Sequence, residues 1–137
     1  MAQRGNITLT DAALTPVNHV YFPKPEKNGV LYWIDRTQSV LIGQNRLSLL
    51  QRPADRTTKA TKLVWKLETP VLEATSPSTS TGIQPAPTVA YTLLGTIDMV
   101  LPDRATLQER KDLLAQLRDL IDEAINTNLV HDLDMIY

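Results

Sequence analysis

Residues 62–68 read KLVWKLE, and the alternation in this stretch decides the fold. A strand with a period of two buries Leu63, Trp65 and Leu67 on one face and presents Lys62, Val64, Lys66 and Glu68 on the other. Upstream, NRLSLLQR at 45–52 alternates in the same way, with Leu47 and Leu49 opposed to Arg46, Ser48, Leu50 and Arg52. PADRTTK at 53–59 reads as the loop between them. If the two strands pair as a hairpin, burying one face makes their apolar sets coincide. Arg46 and Arg52 then share an open face with Lys62 and Lys66.

The rest of the first three-fifths is also β-like. NITLT at 6–10 and VNHVYF at 17–22 suggest a hairpin within residues 1–23, and PKPEKNG at 23–29 reads as a turn. VLYWID at 30–35 is a strand of branched and aromatic residues. Residues 73–88, EATSPSTSTGIQPAPT, are of low complexity and read as a long mobile loop joining two strands of one sheet. VAYTLLGTIDMVL at 89–101 is the last strand, with Gly95 as a bend or bulge, and Pro102 stops it. The sheet therefore occupies 28–101.

Helices follow, within 106–134. Thr106 and Glu109 make a capping box in TLQE. Leu113, Leu114, Leu117, Leu120, Ile121, Ala124 and Ile125 then fall on one stripe at helical spacing. NTN at 126–128 reads as an interruption, and LVHDLDMIY at 129–137 as a short second helix or turn. Strands first and helices last is an α+β pattern in one domain, 1–137. The stripe must cover something, the Trp65 face of the sheet being the obvious partner, and exposed sheet edges invite pairing with another copy.

Composition narrows the function. The chain has 137 residues, a formal net charge of −1 and no cysteine, which excludes disulfides and thiolate metal sites. MAQRGNITLTD at the start has no signal-peptide core, and no apolar run approaches the roughly 20 residues that span a bilayer. The expectation is a soluble, non-secreted protein with no membrane partner. Charge is unevenly spread. Residues 46–66 carry Arg46, Arg52, Arg56, Lys59, Lys62 and Lys66 against Asp55, whereas the chain from Asp103 onward is rich in acids. Such asymmetry suits a polyanion-binding face, with simple solubilisation of an open sheet as the alternative.

Nothing catalytic stands out. His19 and His131 are far apart, no spacing resembles a metal site, five scattered glycines form no phosphate loop, and Ser76, Ser78 and Ser80 have no base nearby in sequence. No enzyme, cofactor or metal is expected. Trp65 shares the parity of Leu63 and Leu67 and reads as core; Tyr91 reads either as core or as a ring able to stack on an unpaired base.

Taken in order, NGVLYWI (28–34), RLSLLQRP (46–53), KLVWKLETP (62–70), AYT (90–92), ERKDLLAQL (109–117) and the terminal IY resemble the coat proteins of single-stranded RNA bacteriophages, the levivirus type. The resemblance covers nearly the whole chain. It implies an N-terminal hairpin, a five-stranded antiparallel sheet and two C-terminal helices. It also implies an interlocked homodimer with a continuous sheet, each subunit's helices lying over its partner's sheet. Leu113, Leu114, Leu117, Leu120 and Ile121 would then be dimer interface, and residues 73–88 would lie at the symmetry axes of an icosahedral shell. The implied partners are a second copy and single-stranded viral RNA with hairpins, one of which the protein binds to repress replicase translation. The implied setting is the virion, assembled in the bacterial cytoplasm.

Carried over by position, Arg46, Ser48, Arg52, Lys62 and Lys66 match RNA-face positions, with Val30 near the same site, and Tyr91 matches an aromatic that stacks on a loop base. Val64 stands where a relative uses a hydroxyl residue to hold an adenine, Leu50 replaces a small polar residue, and a few extra residues follow Tyr91. These departures point to a different hairpin or to weak specificity. A non-viral dimeric nucleic-acid-binding module with the same basic sheet is the other reading.

Overall fold

The computed structural model describes residues 4–74, 82 and 85–137. The long-loop expectation at 73–88, with its serines, falls largely outside the described residues. Six strands run β1 (Ile7–Thr10), β2 (Asn18–Lys27), β3 (Val30–Asp35), β4 (Arg46–Arg52), β5 (Ala60–Leu72) and β6 (Val89–Pro102), followed by α1 (Leu107–Asp122) and α2 (Ala124–His131). All six strands form one sheet in chain order. The expected hairpin and five-stranded sheet are thus a single body, because β2 is long enough to serve both: Tyr21 pairs with Ile7 on one side and Asp35 on the other.

That length corrects the reading of PKPEKNG as a turn. Pro23 and Pro25 lie inside β2, whose extended backbone suits their fixed φ. The ladder slips by one residue between Lys24 and Lys27, around Pro25, and the β1 pairing ends opposite Tyr21, so Pro23 borders a free edge. Only Asn28 (φ 54°) and Gly29 (φ 76°) turn the chain. Positive φ at both positions is the two-residue hairpin geometry whose twist matches that of the flanking strands.

The chain divides into two compact units, one of residues 1–53 and 61–100, the other of 54–60 and 101–137. In the first, alternation sorts the side chains onto the two faces as the sequence implies, but Leu63, Trp65 and Leu67 are half-buried rather than buried, Trp65 and Leu67 lining an open apolar hollow. Tyr21, Trp33, Leu47 and Leu49 are the buried cluster, with Ile7, Leu31, Leu63, Trp65 and Leu67 packed on it. Trp33 and Trp65 lie 5.7 Å apart between ring centroids, and the Trp33 indole donates to the Gly5 carbonyl at 2.9 Å. The register makes Leu47 face Leu67, and Leu49 face Trp65.

In the second unit, the Asp103 amide donates to the Lys59 carbonyl at 3.0 Å. The capping box forms: Glu109 N–H donates to Thr106 Oγ1 at 3.3 Å, and the Thr106 amide donates to Glu109 Oε2 at 2.7 Å. The break between helices comes at Glu123, whose ψ of 143° is extended, rather than at 126–128. Asn126 and Thr127 are tolerated inside α2 because their side chains donate back, Asn126 to the Leu120 carbonyl and Thr127 to the Glu123 carbonyl. Among the described residues, no helix is long and apolar enough to cross a membrane.

Candidate nucleic-acid interface

The polar side of the sheet is built by the same alternation. The β4–β5 register sets Arg46 against Glu68, Ser48 against Lys66, Leu50 against Val64 and Arg52 against Lys62. Across β3 and β4, Val30 faces Leu50 and Tyr32 faces Ser48. These rows enclose a hollow of about 470 Å³ lined by Val30, Tyr32, Arg46, Ser48, Leu50, Val64, Lys66 and Glu68. Val30, Leu50 and Val64 give it apolar surface, Tyr32 an aromatic ring, and Arg46, Lys66 and Glu68 charge, and Ser48 supplies a hydroxyl that both donates and accepts.

The charges are partly spent. Glu68 takes Lys66 Nζ at 2.7 Å and Arg46 Nε at 3.2 Å. The hydrogen bond from Lys66 holds the Glu68 carboxyl below its ordinary pKa; partial burial opposes this, and the charges of Lys66 and Arg46 add to it. Lys62 Nζ reaches Asp98 of β6 at 3.5 Å. A carboxylate shared by two cations keeps them in place, and their net charge there is +1, not +2.

Arg46, Ser48, Val64 and Lys66 of the sequence-derived set therefore meet in one hollow. Arg52 and Lys62 form the next cross-strand pair but do not line it. Tyr91 on β6 is 59% exposed and does not line it either. Of the residues the sequence reading missed, Tyr32 has the parity of Val30, and Glu68 had already been placed on the lysine face. What was absent was the register, which alone shows that Glu68 bridges two cations.

The opposite side of the sheet holds a hollow of about 500 Å³ lined by Ile7, Leu9, Leu47, Trp65, Leu67, Gly95, Thr96 and Ile97. It is apolar, and a Cβ built on Gly95 would meet nothing within 4 Å. On α1, Leu113, Leu114, Leu120 and Ile121 are exposed, and Leu117 is half-buried.

His19 was set aside in the sequence reading, but the fold places it between two carboxylates. Nδ1 lies 2.7 Å from Asp35 Oδ2 and Nε2 lies 2.9 Å from Asp11 Oδ2. Two carboxylate acceptors require two ring N–H donors, so the geometry calls for the imidazolium. The His19 pKa is raised accordingly, first by Asp11 and then by Asp35. The carboxylates sit on opposite ring nitrogens and do not converge, and among the described residues no cluster suited to a metal ion exists.

Comparison with known proteins assigns this arrangement a lineage. A family model described as Levivirus coat protein matches residues 2–137. The capsid protein of Pseudomonas phage PRR1 is 30% identical over 132 residues, covering 96% of this chain and 93% of that one. Among solved structures, the virus-like particle of bacteriophage ESE058 superposes with a TM-score of 0.89 at 30% identity, covering 99% of this chain and 100% of the other. An unassembled bacteriophage coat-protein dimer, described as RNA-binding, has a TM-score of 0.68 at 19% identity, with 97% of each chain covered. That likeness is one of fold.

Proposed function

The chain belongs to the levivirus coat protein family, and on that footing we propose that it builds the capsid from dimers and binds the genome on the polar side of its sheet. It is a capsid protein of an RNA phage, a component of the virion, in a family of structural proteins.

The observation that carries the RNA reading is the polar hollow. Apolar surface, the Tyr32 ring, the Ser48 hydroxyl and the Arg46–Glu68–Lys66 network lie side by side on three adjacent strands. The cations neutralise phosphate, the hydroxyl bonds a base edge, and the apolar surface accepts the flat of a base. Arg46, Ser48, Val64 and Lys66 form this surface, and Arg52 and Lys62 extend it along the strands. Val64 offers no hydrogen bond, so base selection rests on Ser48. Repression of replicase translation through a genomic hairpin follows if one RNA fills the hollow better than others.

The dimer uses the other side. Leu113, Leu114, Leu117, Leu120 and Ile121 need a cover, and the apolar hollow around Trp65 and Gly95 needs an occupant of the same chemistry. A second copy supplies both. Assembly in the bacterial cytoplasm would then bring coat protein and genome together.

The test is to produce the protein alone in bacteria, image it by negative-stain electron microscopy and recover nucleic acid from the particles. Uniform shells containing RNA are expected. Lys62→Ala with Lys66→Ala is expected to weaken RNA binding and to lower the slope of log affinity against log salt by about 0.7 per lost phosphate contact. Dimers that never form shells would leave the non-viral binding module as the reading; an unchanged salt slope would remove both lysines from the RNA surface.

A further inference from the structure

We propose that the polar side of the sheet carries a second single-stranded RNA subsite, over β2 and β3, and that Tyr32 is the stacking wall it shares with the first; this rests on the RNA-binding reading above. A hollow of about 390 Å³ lies there, lined by Lys24, Pro25, Lys27, Tyr32, Ile34 and Arg46 among others. Tyr32 and Arg46 line both hollows.

The register makes the two continuous. Lys24 pairs with Tyr32, Tyr32 with Ser48, and Ser48 with Lys66. Directly opposed residues in an antiparallel sheet point to the same side. Four strands thus present one row reading ammonium, phenol, hydroxyl, ammonium. Three inter-strand steps of roughly 4.8 Å make the row about 14 Å long. Its neighbour contains Phe22, Ile34, Arg46 and Glu68. A lysine at each end with an aromatic ring between them is the layout of a surface that holds phosphates and stacks a base. Paired bases in a duplex do not offer their faces to such a ring, so the occupant is unpaired.

Among the cations lining the two hollows, the uncommitted ones lie on this side of the row. Lys66 and Arg46 are held by Glu68, and Lys62 by Asp98. Lys24 and Lys27 are exposed, and neither forms an ion pair among the described residues. A phosphate meeting them displaces no carboxylate. Pro25, which is exposed, gives the hollow apolar surface on which a base can rest. The basic run at 46–66 draws attention to β4 and β5, yet among the cations lining the two hollows those free of a carboxylate stand on β2.

The experiment uses the full-length dimeric protein and a labelled single-stranded oligoadenylate, titrated at several salt concentrations. Lys24→Gln with Lys27→Gln is expected to lower the log–log salt slope by about 1.4, two contacts at about 0.7 each. Tyr32→Leu is expected to weaken binding roughly five- to hundredfold, while Tyr32→Phe, which keeps the ring, stays close to wild type. Tyr32→Phe also controls for folding. An unchanged slope in the lysine pair, or wild-type affinity in Tyr32→Leu, overturns the second subsite. If Lys66→Ala lowers the slope and the Lys24 and Lys27 changes do not, only this subsite falls. If the wild type binds no oligoadenylate even at low salt, the RNA reading falls and takes the subsite with it.

Discussion

Strands β3 and β4 and helix α1 are equally regular in their apolar spacing, yet they end in opposite conditions. Trp33 and Leu47 are 4% and 6% exposed, whereas Leu120 and Ile121 of α1 are 56% and 54% exposed. No residue of either helix is buried. The strands find their cover within the chain, because β2, β3, β4 and β5 lie side by side and their inward residues meet. The helix displays the same kind of stripe and leaves it uncovered in the single chain. Helical stability in water comes mostly from packing of the apolar face. An uncovered stripe of that quality is what the proposed dimer would cover.

The contrast fails most plainly if α1 can lose its stripe without consequence. Leu117→Asp combined with Ile121→Asp places two carboxylates in the proposed interface, each costing several kcal/mol to bury unpaired. Dimers, and with them shells, are expected to be lost entirely, as read by light scattering after size exclusion and by electron microscopy. Normal dimers from this variant would mean that the stripe is solvent-facing and that the two regions differ only in how well they are packed.

The strand side of the contrast is tested by Leu47→Ala. Leu47 is 6% exposed, faces Trp33 and Leu67 and borders the apolar hollow. Removing its side chain is expected to cost about 2–5 kcal/mol per chain, measured by urea unfolding. A cost under about 1 kcal/mol would show that β3 and β4 are not the chain's own anchor, and that the sheet too depends on a partner for its core.

How much of this was visible beforehand follows from what each feature depends on. Alternation in β4 and β5 needs only nearest neighbours along the chain, so the separation of Leu47, Leu49, Leu63, Trp65 and Leu67 from Arg46, Ser48, Lys62 and Lys66 was legible. So was the capping box of α1, which spans three residues. The Glu68 bridge to Arg46 and Lys66 was not, because it requires knowing which residue of β4 faces which of β5. The strand character of Pro23 and Pro25 was hidden for a different reason. Proline argues against a strand unless the ladder slips beside it, and nothing local announces the slip. Asn126 and Thr127 looked like breakers because their side chains compete with the backbone; in α2 the same tendency is spent on the Leu120 and Glu123 carbonyls at the break. The second hollow was obscured by sequence distance: Lys24 and Lys66 stand on one row through two intervening strands.

Between the self-sufficient strands and the uncovered helix lies the connection of β1 to β2, held by charge rather than by apolar packing. Asp11 accepts the Val17 and Ala13 amides at 2.9 and 3.2 Å and also meets His19. Hydrogen bonds from Val17, His19 and Ala13 keep the Asp11 carboxyl below its ordinary pKa. Burial pushes the Asp35 carboxyl upward, but hydrogen bonds from Thr37 and His19 outweigh this and hold it low. Both carboxylates are therefore ionised throughout the range in which His19 titrates. A raised histidine pKa stabilises the fold fully below the unfolded value, near 6.5, and that contribution disappears as pH rises through the folded value. His19→Gln removes the titration while keeping a polar side chain. The melting temperature of the wild type is expected to exceed that of the variant most at mildly acidic pH, with the gap narrowing as pH is raised above neutrality. The effect should be the smallest of those predicted, since Asp11 and part of His19 are open to solvent and their attraction is screened. A gap that stays constant across this range would mean that His19 is not the cationic bridge its two carboxylates require. The β1–β2 connection would then owe its order to the hydrogen bonds between Asp11 and the Val17 and Ala13 backbone.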